Sequence, residues 1–433
     1  MLLIYLNPLN DDNTTRENGA FSVAFSCLLL ASCERIEDLI PKGEEREDNP
    51  ISYLYALTNS IDNEVLVYEI AKNGELSLVH GYLTQGEGSG TARPDGPGEG
   101  ADALSAQDPL ILSDDDQFLF AVNAGNNTVT SFRVYDHGAR LEVADVVASG
   151  GVFPVSVSVH DNILYVVNEG ANGNIDFRDD IAGDEPGSIQ GYRVNKRGKL
   201  IPIPGSNIAL DYALTNRGTI DFSPDGQVLA ITEIRADQVV HFLIDEAGKP
   251  EGPYVYELPG DRPLGPFGAQ FDNNGYFHAS VVNEIGPIES PSPSGEVVTF
   301  RFDGEGGTHI VGRVSTNGSA ACWFEPTSDF RYGYVTNTIT DDISGYKIND
   351  DGSLTPLTDN SIVASTGTRT VPLEITSIPG FLFVLAPGPG AIDMGGELQV
   401  FKILDGGLLT RVDITDELPR EAGGLAAIGD ALP

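Results

Sequence analysis

Cysteine is scarce in this sequence, with three residues among 433. Cys27 and Cys33 lie in an apolar segment near the N-terminus, which leaves Cys322 as the one thiol in the rest of the chain. A single thiol excludes an intrachain disulfide framework there, and it excludes a metal site built from several thiolates. We therefore expect a core that is stable without cross-links.

Basic residues are also few. The chain has 25 Lys and Arg against 64 Asp and Glu, which gives a formal net charge of −39 at pH 7. A surface this acidic argues against nucleic-acid binding and against docking on an anionic membrane, because both partners repel it. It predicts a well-solvated protein and carries no information about the fold.

Long segments with helical periodicity are absent after the N-terminal region. The chain instead has 50 Gly and 27 Pro, with β-branched and aromatic residues gathered in short runs between turn residues. Short runs of this kind, separated by turn signals, predict a β protein with many strands.

One repeating unit dominates the sequence. Its clearest copy has a strand at Tyr332–Asn337, a second strand at Ile343–Ile348 and an Asp351-Gly352 turn. An Asp-Gly pair supplies the positive φ angles of a tight hairpin. The first strand of the unit recurs seven times, beginning near Tyr53, Phe118, Ile163, Val228, Phe277, Tyr332 and Phe381.

The spacing of the copies predicts four antiparallel strands per repeat. The first copy lacks the preceding small-residue strand, and a segment of that character, Gly423–Ile428, stands unpartnered at the C-terminal end. We therefore predict an all-β protein, a seven-bladed β-propeller over residues 51–433, in which the C-terminal strand closes blade one.

Three motifs carry a family resemblance. They are Tyr334-Val-Thr-Asn337, Asn123–Val129 (NAGNNTV) and Ala320–Trp323 (AACW). With them the sequence resembles the seven-bladed β-propeller lactonase family, which includes propeller-type 6-phosphogluconolactonases and muconate-lactonising enzymes, and within it a secreted bacterial subgroup. The resemblance implies hydrolysis or isomerisation of a lactone or sugar acid. Where such enzymes place a histidine, at the start of an inner strand, this sequence has other residues, and Arg217 is the one arguable match.

The long connections should all emerge on one face of the propeller, because antiparallel strands alternate in direction. They include Gly81–Gln107, Gly170–Gly187, Ile285–Gly295 and Pro387–Gly396. Loops on a rigid scaffold are where function concentrates, so we place the binding site on this long-loop face.

Acidic and basic residues are expected together on this face. We predict Arg217, Glu233 and Glu284 as catalytic residues, the arginine binding a carboxylate and a glutamate acting as base, and Glu169, Arg235 and Arg369 as ligand-binding residues. The alternative is that these acids and arginines pair only structurally. No metal or cofactor is required, although the acids with nearby carbonyls leave a calcium site open.

Two functions remain open from the sequence. One is a lactonase-type enzyme for a small-molecule lactone or sugar acid. The other is a non-catalytic cell-surface propeller that binds a carbohydrate or protein partner. For either function we expect a monomer.

The N-terminal region predicts export. Phe21–Cys33 is apolar but too short for a permanent membrane span, and Leu30-Ala-Ser-Cys33 resembles the bacterial lipoprotein box. We predict a signal over residues 1–33, lipidation of Cys33 and a flexible acidic tether over residues 34–50. A periplasmic or cell-surface location would follow, with membrane attachment through the lipid alone. A cleaved secretory signal and a buried apolar segment are the alternatives.

Overall fold

The computed structural model describes residues 52–93, 96–97, 103–171, 185–210, 215–260, 265–283, 292–388 and 396–429. Within these ranges, seven antiparallel sheets follow one another along the chain, each with four strand positions. The predicted seven-bladed propeller is thereby confirmed. Cys33, the predicted tether and Glu284 lie outside the described residues.

Each blade runs from an innermost strand at the central channel to an outermost strand at the rim. Blade 1 has Leu425–Ile428, Ser52–Leu57, Glu64–Ile70 and Leu76–Leu83, and blade 2 has Leu110–Leu112, Phe118–Asn123, Thr128–Tyr135 and Arg140–Ala148. Blade 3 has Pro154–His160, Ile163–Asn168, Ser188–Val194 and a split outer strand, Leu200–Pro202 with Ile208–Ala209. Blade 4 has Arg217–Phe222, Val228–Glu233, Gln238–Ile244 and Pro250–Glu257.

The remaining blades repeat this order. Blade 5 has Pro266–Phe271, Tyr276–Val281, Glu296–Phe302 and Thr308–Ser315, and blade 6 has Ala321–Pro326, Tyr332–Asn337, Asp342–Ile348 and a split outer strand, Leu354–Pro356 with Ile362–Ser365. Blade 7 has Ile375–Ile378, Phe381–Ala386, Gly396–Ile403 and Leu409–Leu418. Small elements outside the blades are the strand pair Ala92–Arg93 and Gly96–Pro97 and the 3₁₀ turns Asp136–Gly138 and Ile234–Ala236.

Burial explains the sequence pattern of the strands. The second strand of blade 2, Phe118–Asn123, is buried along its whole length, because its two faces pack on neighbouring blades, and it is therefore almost continuously apolar. The outermost strand of blade 5, Thr308–Ser315, alternates between half-buried and exposed residues, as expected for a strand with one face in solvent.

Tyrosines join several blades to the next. The hydroxyl groups of Tyr55, Tyr165 and Tyr334 each donate a 2.8 Å hydrogen bond to the carbonyl of a turn glycine, at Gly138, Gly248 and Gly407 respectively. A buried phenol needs such a partner. The repeated tyrosine in the sequence thus marks contact between blades.

Each blade has a glycine in the turn between its third and fourth strands, in a backbone conformation that glycine adopts without strain. All seven have positive φ angles: Gly74, Gly138, Gly198, Gly248, Gly306, Gly352 and Gly406.

The ring closes as predicted. Leu425–Ile428 pairs antiparallel with Ser52–Leu57, with Ile428 opposite Tyr53 and Leu425 opposite Ala56. The two strands come from opposite ends of the propeller sequence, so this pairing within blade 1 closes the ring. Among the described residues, no helix has both the length and the hydropathy of a membrane span.

Candidate functional site

Arg217 lies at the start of the innermost strand of blade 4, and its side chain is fully buried. Its Nη2 atom is 2.8 Å from Oε1 of Glu233. Its Nη1 atom is 3.5 Å from Oε2 of Glu169 and donates to the Glu169 backbone carbonyl at 3.0 Å. A Cβ atom at position 187 would lie 2.3 Å from Cζ of Arg217. Gly187, where the blade-three insertion returns, therefore packs directly on the guanidinium.

Glu169 follows the second strand of blade 3 and reaches across to blade 4. Its two carboxylate oxygens accept hydrogen bonds from the backbone amides of Asn216, at 2.7 Å, and Arg217, at 2.9 Å. Burial raises the pKa of Glu169, while the charge of Arg217 and these amides act in the opposite direction. Because backbone groups hold both oxygens, this carboxylate fixes the entry of the chain into blade 4.

Glu233 is the last residue of the second strand of blade 4, and its partners differ from those of Glu169. Its Oε1 atom accepts from the hydroxyl of Thr215 at 3.1 Å and from Arg217. Its Oε2 atom accepts from the side-chain amide of Gln238. These partners are all side chains, which rearrange at less cost than the backbone amides around Glu169.

The structure thus brings together three of the predicted residues, Glu169, Arg217 and Glu233. We call them the ion-pair cluster. Two carboxylates share one guanidinium in a buried site. Removing such charges from water costs several kcal/mol per ion, and their mutual attraction offsets this cost. A desolvated cluster with one surplus acid, on the face where the long insertions emerge, is a candidate functional site by its electrostatics.

Two other predicted residues, Arg235 and Arg369, are exposed, and Glu284 is outside the described residues. Arg235 is in the 3₁₀ turn that follows Glu233. Arg369 is on the connection into blade 7, where its backbone amide donates to Asp341 at 2.6 Å. Within the described ranges, no group of three His, Cys, Asp or Glu residues is arranged to hold a metal ion. The roles assigned to these residues from the sequence remain predictions.

A second set of polar residues lines the central channel near the opposite, short-turn face. Ser158, Asp221, Gln270 and Glu325 occupy the same position on four consecutive inner strands, each paired with the third residue of the adjacent strand. Sequence reasoning missed them because it followed the long loops. The available signal was a polar residue near the end of each innermost strand, two or three positions before the turn to the second strand.

The match to a family model agrees with the resemblance seen in the motifs. The model described as Lactonase, 7-bladed beta-propeller matches residues 49–179 of this chain. An uncharacterized protein of Staphylococcus aureus (strain USA300) is 37% identical over 60 residues, which are 13% of this chain. The matched region spans 18% of that relative's length.

Solved structures extend the similarity to the whole fold. A periplasmic gluconolactonase of Pseudomonas aeruginosa has a TM-score of 0.62 at 17% identity, covering 89% of this chain and 99% of that one. A Bacteroides fragilis protein provisionally assigned as a 6-phosphogluconolactonase has the same TM-score and identity, covering 89% of this chain and 100% of that one. A Lactobacillus plantarum protein has a TM-score of 0.60 at 15% identity, covering 88% and 99% of the two chains. At these identities the comparison establishes the fold alone.

Proposed function

We propose that the protein hydrolyses or isomerises a lactone or sugar acid at the long-loop face, with Arg217 and Glu233 as the reacting groups. The observation that carries this proposal is the ion-pair cluster, in which one guanidinium is shared by two buried carboxylates. The family-model match and the fold shared with a gluconolactonase support the substrate class.

Hydrolysis needs a base and a group that stabilises negative charge. In the proposed reaction, Glu233 takes a proton from water as the water oxygen bonds to the lactone carbonyl carbon. Arg217 stabilises the negative charge on the carbonyl oxygen, and the ring C–O bond then breaks as the ring oxygen takes up a proton. Glu169 positions Arg217 through contacts with the Asn216 and Arg217 amides. Because Gly187 packs on the guanidinium, substrate binding includes a shift of this backbone.

Turnover on a panel of sugar lactones, followed by proton release, tests the proposal. We expect activity in the wild type, a loss of at least about 100-fold in Glu233→Gln and a comparable loss in Arg217→Ala. Glu296→Gln is the matched control, since Glu296 forms a 3.0 Å ion pair with Arg313 on blade 5, outside the cluster. Wild-type rates equal to buffer on every lactone, or full activity in Glu233→Gln, would refute it.

The burial of Arg217 favours a second candidate function. A side chain with no exposed surface is also what a purely structural ion pair would show, and propeller scaffolds bind partners without catalysis. In this case the protein is a surface propeller for a carbohydrate or protein partner, contacted by the long loops. Replacing residues 172–184 with a short Gly-Ser linker should then abolish partner binding, whereas loss of lactone turnover in Glu233→Gln would contradict this alternative.

Export and lipidation at Cys33 complete the proposal. The support is the Leu30-Ala-Ser-Cys33 motif, and one protein of the same fold is periplasmic. Metabolic labelling with a palmitate analogue in a bacterial host should label the wild type and spare Cys33→Ser. Equal labelling of both proteins would exclude a lipid anchor at this residue.

A further inference from the structure

The central channel contains a cavity of about 450 Å³ near the short-turn face, away from the ion-pair cluster. Its wall includes the side chains of Ser158, Asp221, Gln270, Glu325 and Ser377, from blades 3 to 7 in order. A volume of this size is within the range of small-molecule sites. One contiguous arc of five blades therefore presents polar groups to the same space.

The connection between blades 1 and 2 crosses the channel at the inner end of this cavity. The Gln107 side chain donates to the Phe324 carbonyl at 2.8 Å and accepts from the Phe324 amide at 3.3 Å. The Gln107 backbone amide donates to Gly218 at 2.6 Å, and the Asp108 carbonyl accepts from Val157 at 2.9 Å. These bonds attach the connection to blades 3, 4 and 6, so it forms a floor across the channel.

The floor also contacts a polar residue of the cavity wall. The buried carboxyl of Asp108 lies 3.4 Å from the side-chain nitrogen of Gln270, which itself lines the wall. Glu325 is 7% exposed and lines the same wall. Carboxyl and amide groups thus meet at the inner end of the cavity.

The charge state of this site suits an uncharged ligand. Burial raises the pKa values of Asp108 and Glu325 well above the usual range, and each is raised further by a neighbouring acid. Burial likewise raises the pKa of Asp221 to about 7. Burial therefore favours the protonated, uncharged form of these carboxyls, which both donates and accepts hydrogen bonds. None of the residues that line this part of the channel is Lys or Arg.

Apolar rings share the wall with these groups. Phe222, Phe271 and Phe330 line the cavity, together with Pro224 and Pro326. A sugar ring has hydroxyl groups, which exchange hydrogen bonds, and apolar C–H faces, which pack on aromatic rings. An anionic sugar would meet acids with no Lys or Arg opposite them. We propose that this channel cavity binds a neutral sugar, at a site separate from the ion-pair cluster.

Isothermal titration calorimetry with D-glucose and D-galactose tests the proposal, with D-glucuronate and D-galacturonate as matched anionic probes. We expect saturable binding of at least one neutral hexose, and binding of the uronates at least about 10-fold weaker at pH 7.5. Glu325→Leu should weaken hexose binding at least about 10-fold. Glu325→Gln, which keeps a neutral donor and acceptor, should stay within about 3-fold of the wild type.

Glu142→Leu is the matched control for loss of a carboxyl group, because Glu142 is an exposed residue on the outer strand of blade 2, away from the cavity. Circular dichroism and melting temperature establish that each variant is folded, and Ser377→Ala replaces Glu325→Leu if the latter is not. No saturable heat with either hexose would overturn the proposal. The proposal would also be overturned if the uronates bind as tightly as the hexoses, or if hexose binding is unchanged in the folded variant, Glu325→Leu or Ser377→Ala. Binding heat with calcium chloride and none with a hexose would overturn it as well.

Discussion

The ion-pair cluster makes a quantitative prediction about stability. In Arg217→Met the aliphatic stem is kept and the guanidinium is lost, so Glu169 and Glu233 remain as two buried carboxylates with no cation between them. Removing one partner of a buried ion pair costs about 3–5 kcal/mol. We expect the free energy of unfolding to fall by that amount at pH 7.5.

The loss should depend on pH. Without the opposing charge of Arg217, burial favours the protonated form of Glu169 even more strongly, so the folded pKa of Glu169 rises further above its unfolded value. A raised folded pKa gives stability that is present at low pH and lost as the pH rises through that value. The deficit of Arg217→Met should therefore shrink from pH 7.5 towards pH 5.

Urea denaturation at pH 7.5 and pH 5.5, followed by circular dichroism and tryptophan fluorescence, measures both effects. Arg313→Met is the matched control, because its 3.0 Å ion pair with Glu296 is partly exposed and should contribute no more than about 1 kcal/mol. The triple variant Arg217→Met, Glu169→Gln, Glu233→Gln should recover much of the loss. A deficit below 1 kcal/mol in Arg217→Met, or one that does not change with pH, would refute this account of the cluster.

Three further predictions concern other parts of the propeller. Deleting the chain from Leu425 onward removes the innermost strand of blade 1. Soluble monomer should then be lost, or the melting temperature should fall by at least about 10 °C. An unchanged melting curve would contradict the closure of the ring by this strand. The pKa of Asp221 is raised to about 7, so ionisation of Asp221 opposes folding as the pH rises. The free energy of unfolding of Asp221→Asn should therefore increase relative to the wild type between about pH 5 and pH 8, by about 1–3 kcal/mol. Parallel pH–stability curves of the two proteins would contradict this. The buried ring of His278 is 2.9 Å from the Thr299 hydroxyl and 3.3 Å from Asp272. His278→Ala should therefore lower the free energy of unfolding, measured by urea denaturation, by about 2–4 kcal/mol. The control His309→Ala removes an exposed ring and should be as stable as the wild type.

Part of the candidate site could be predicted from the sequence. Strand parity placed Glu169 and Glu233 on one face with Arg217, and the structure joins them in a single cluster. The burial of that cluster could not be predicted, because it depends on the return of the blade-three insertion at Gly187. The polar wall of the channel was missed for a related reason: its members are single residues in separate repeats, and only the ring brings them together.

The sequence by itself determined the number of blades, the strand order and the closure of the ring. These features depend on local chemistry: alternation with a period of two, glycines at positive φ such as Gly352, and one strand with no neighbouring partner. The tertiary structure alone decided that Gln107 crosses the channel to bond Phe324, 217 positions away in the sequence, and that acids on separate blades meet in one cavity. Contacts over such separations follow from how the closed ring packs around its axis, and no local pattern in the chain encodes that geometry.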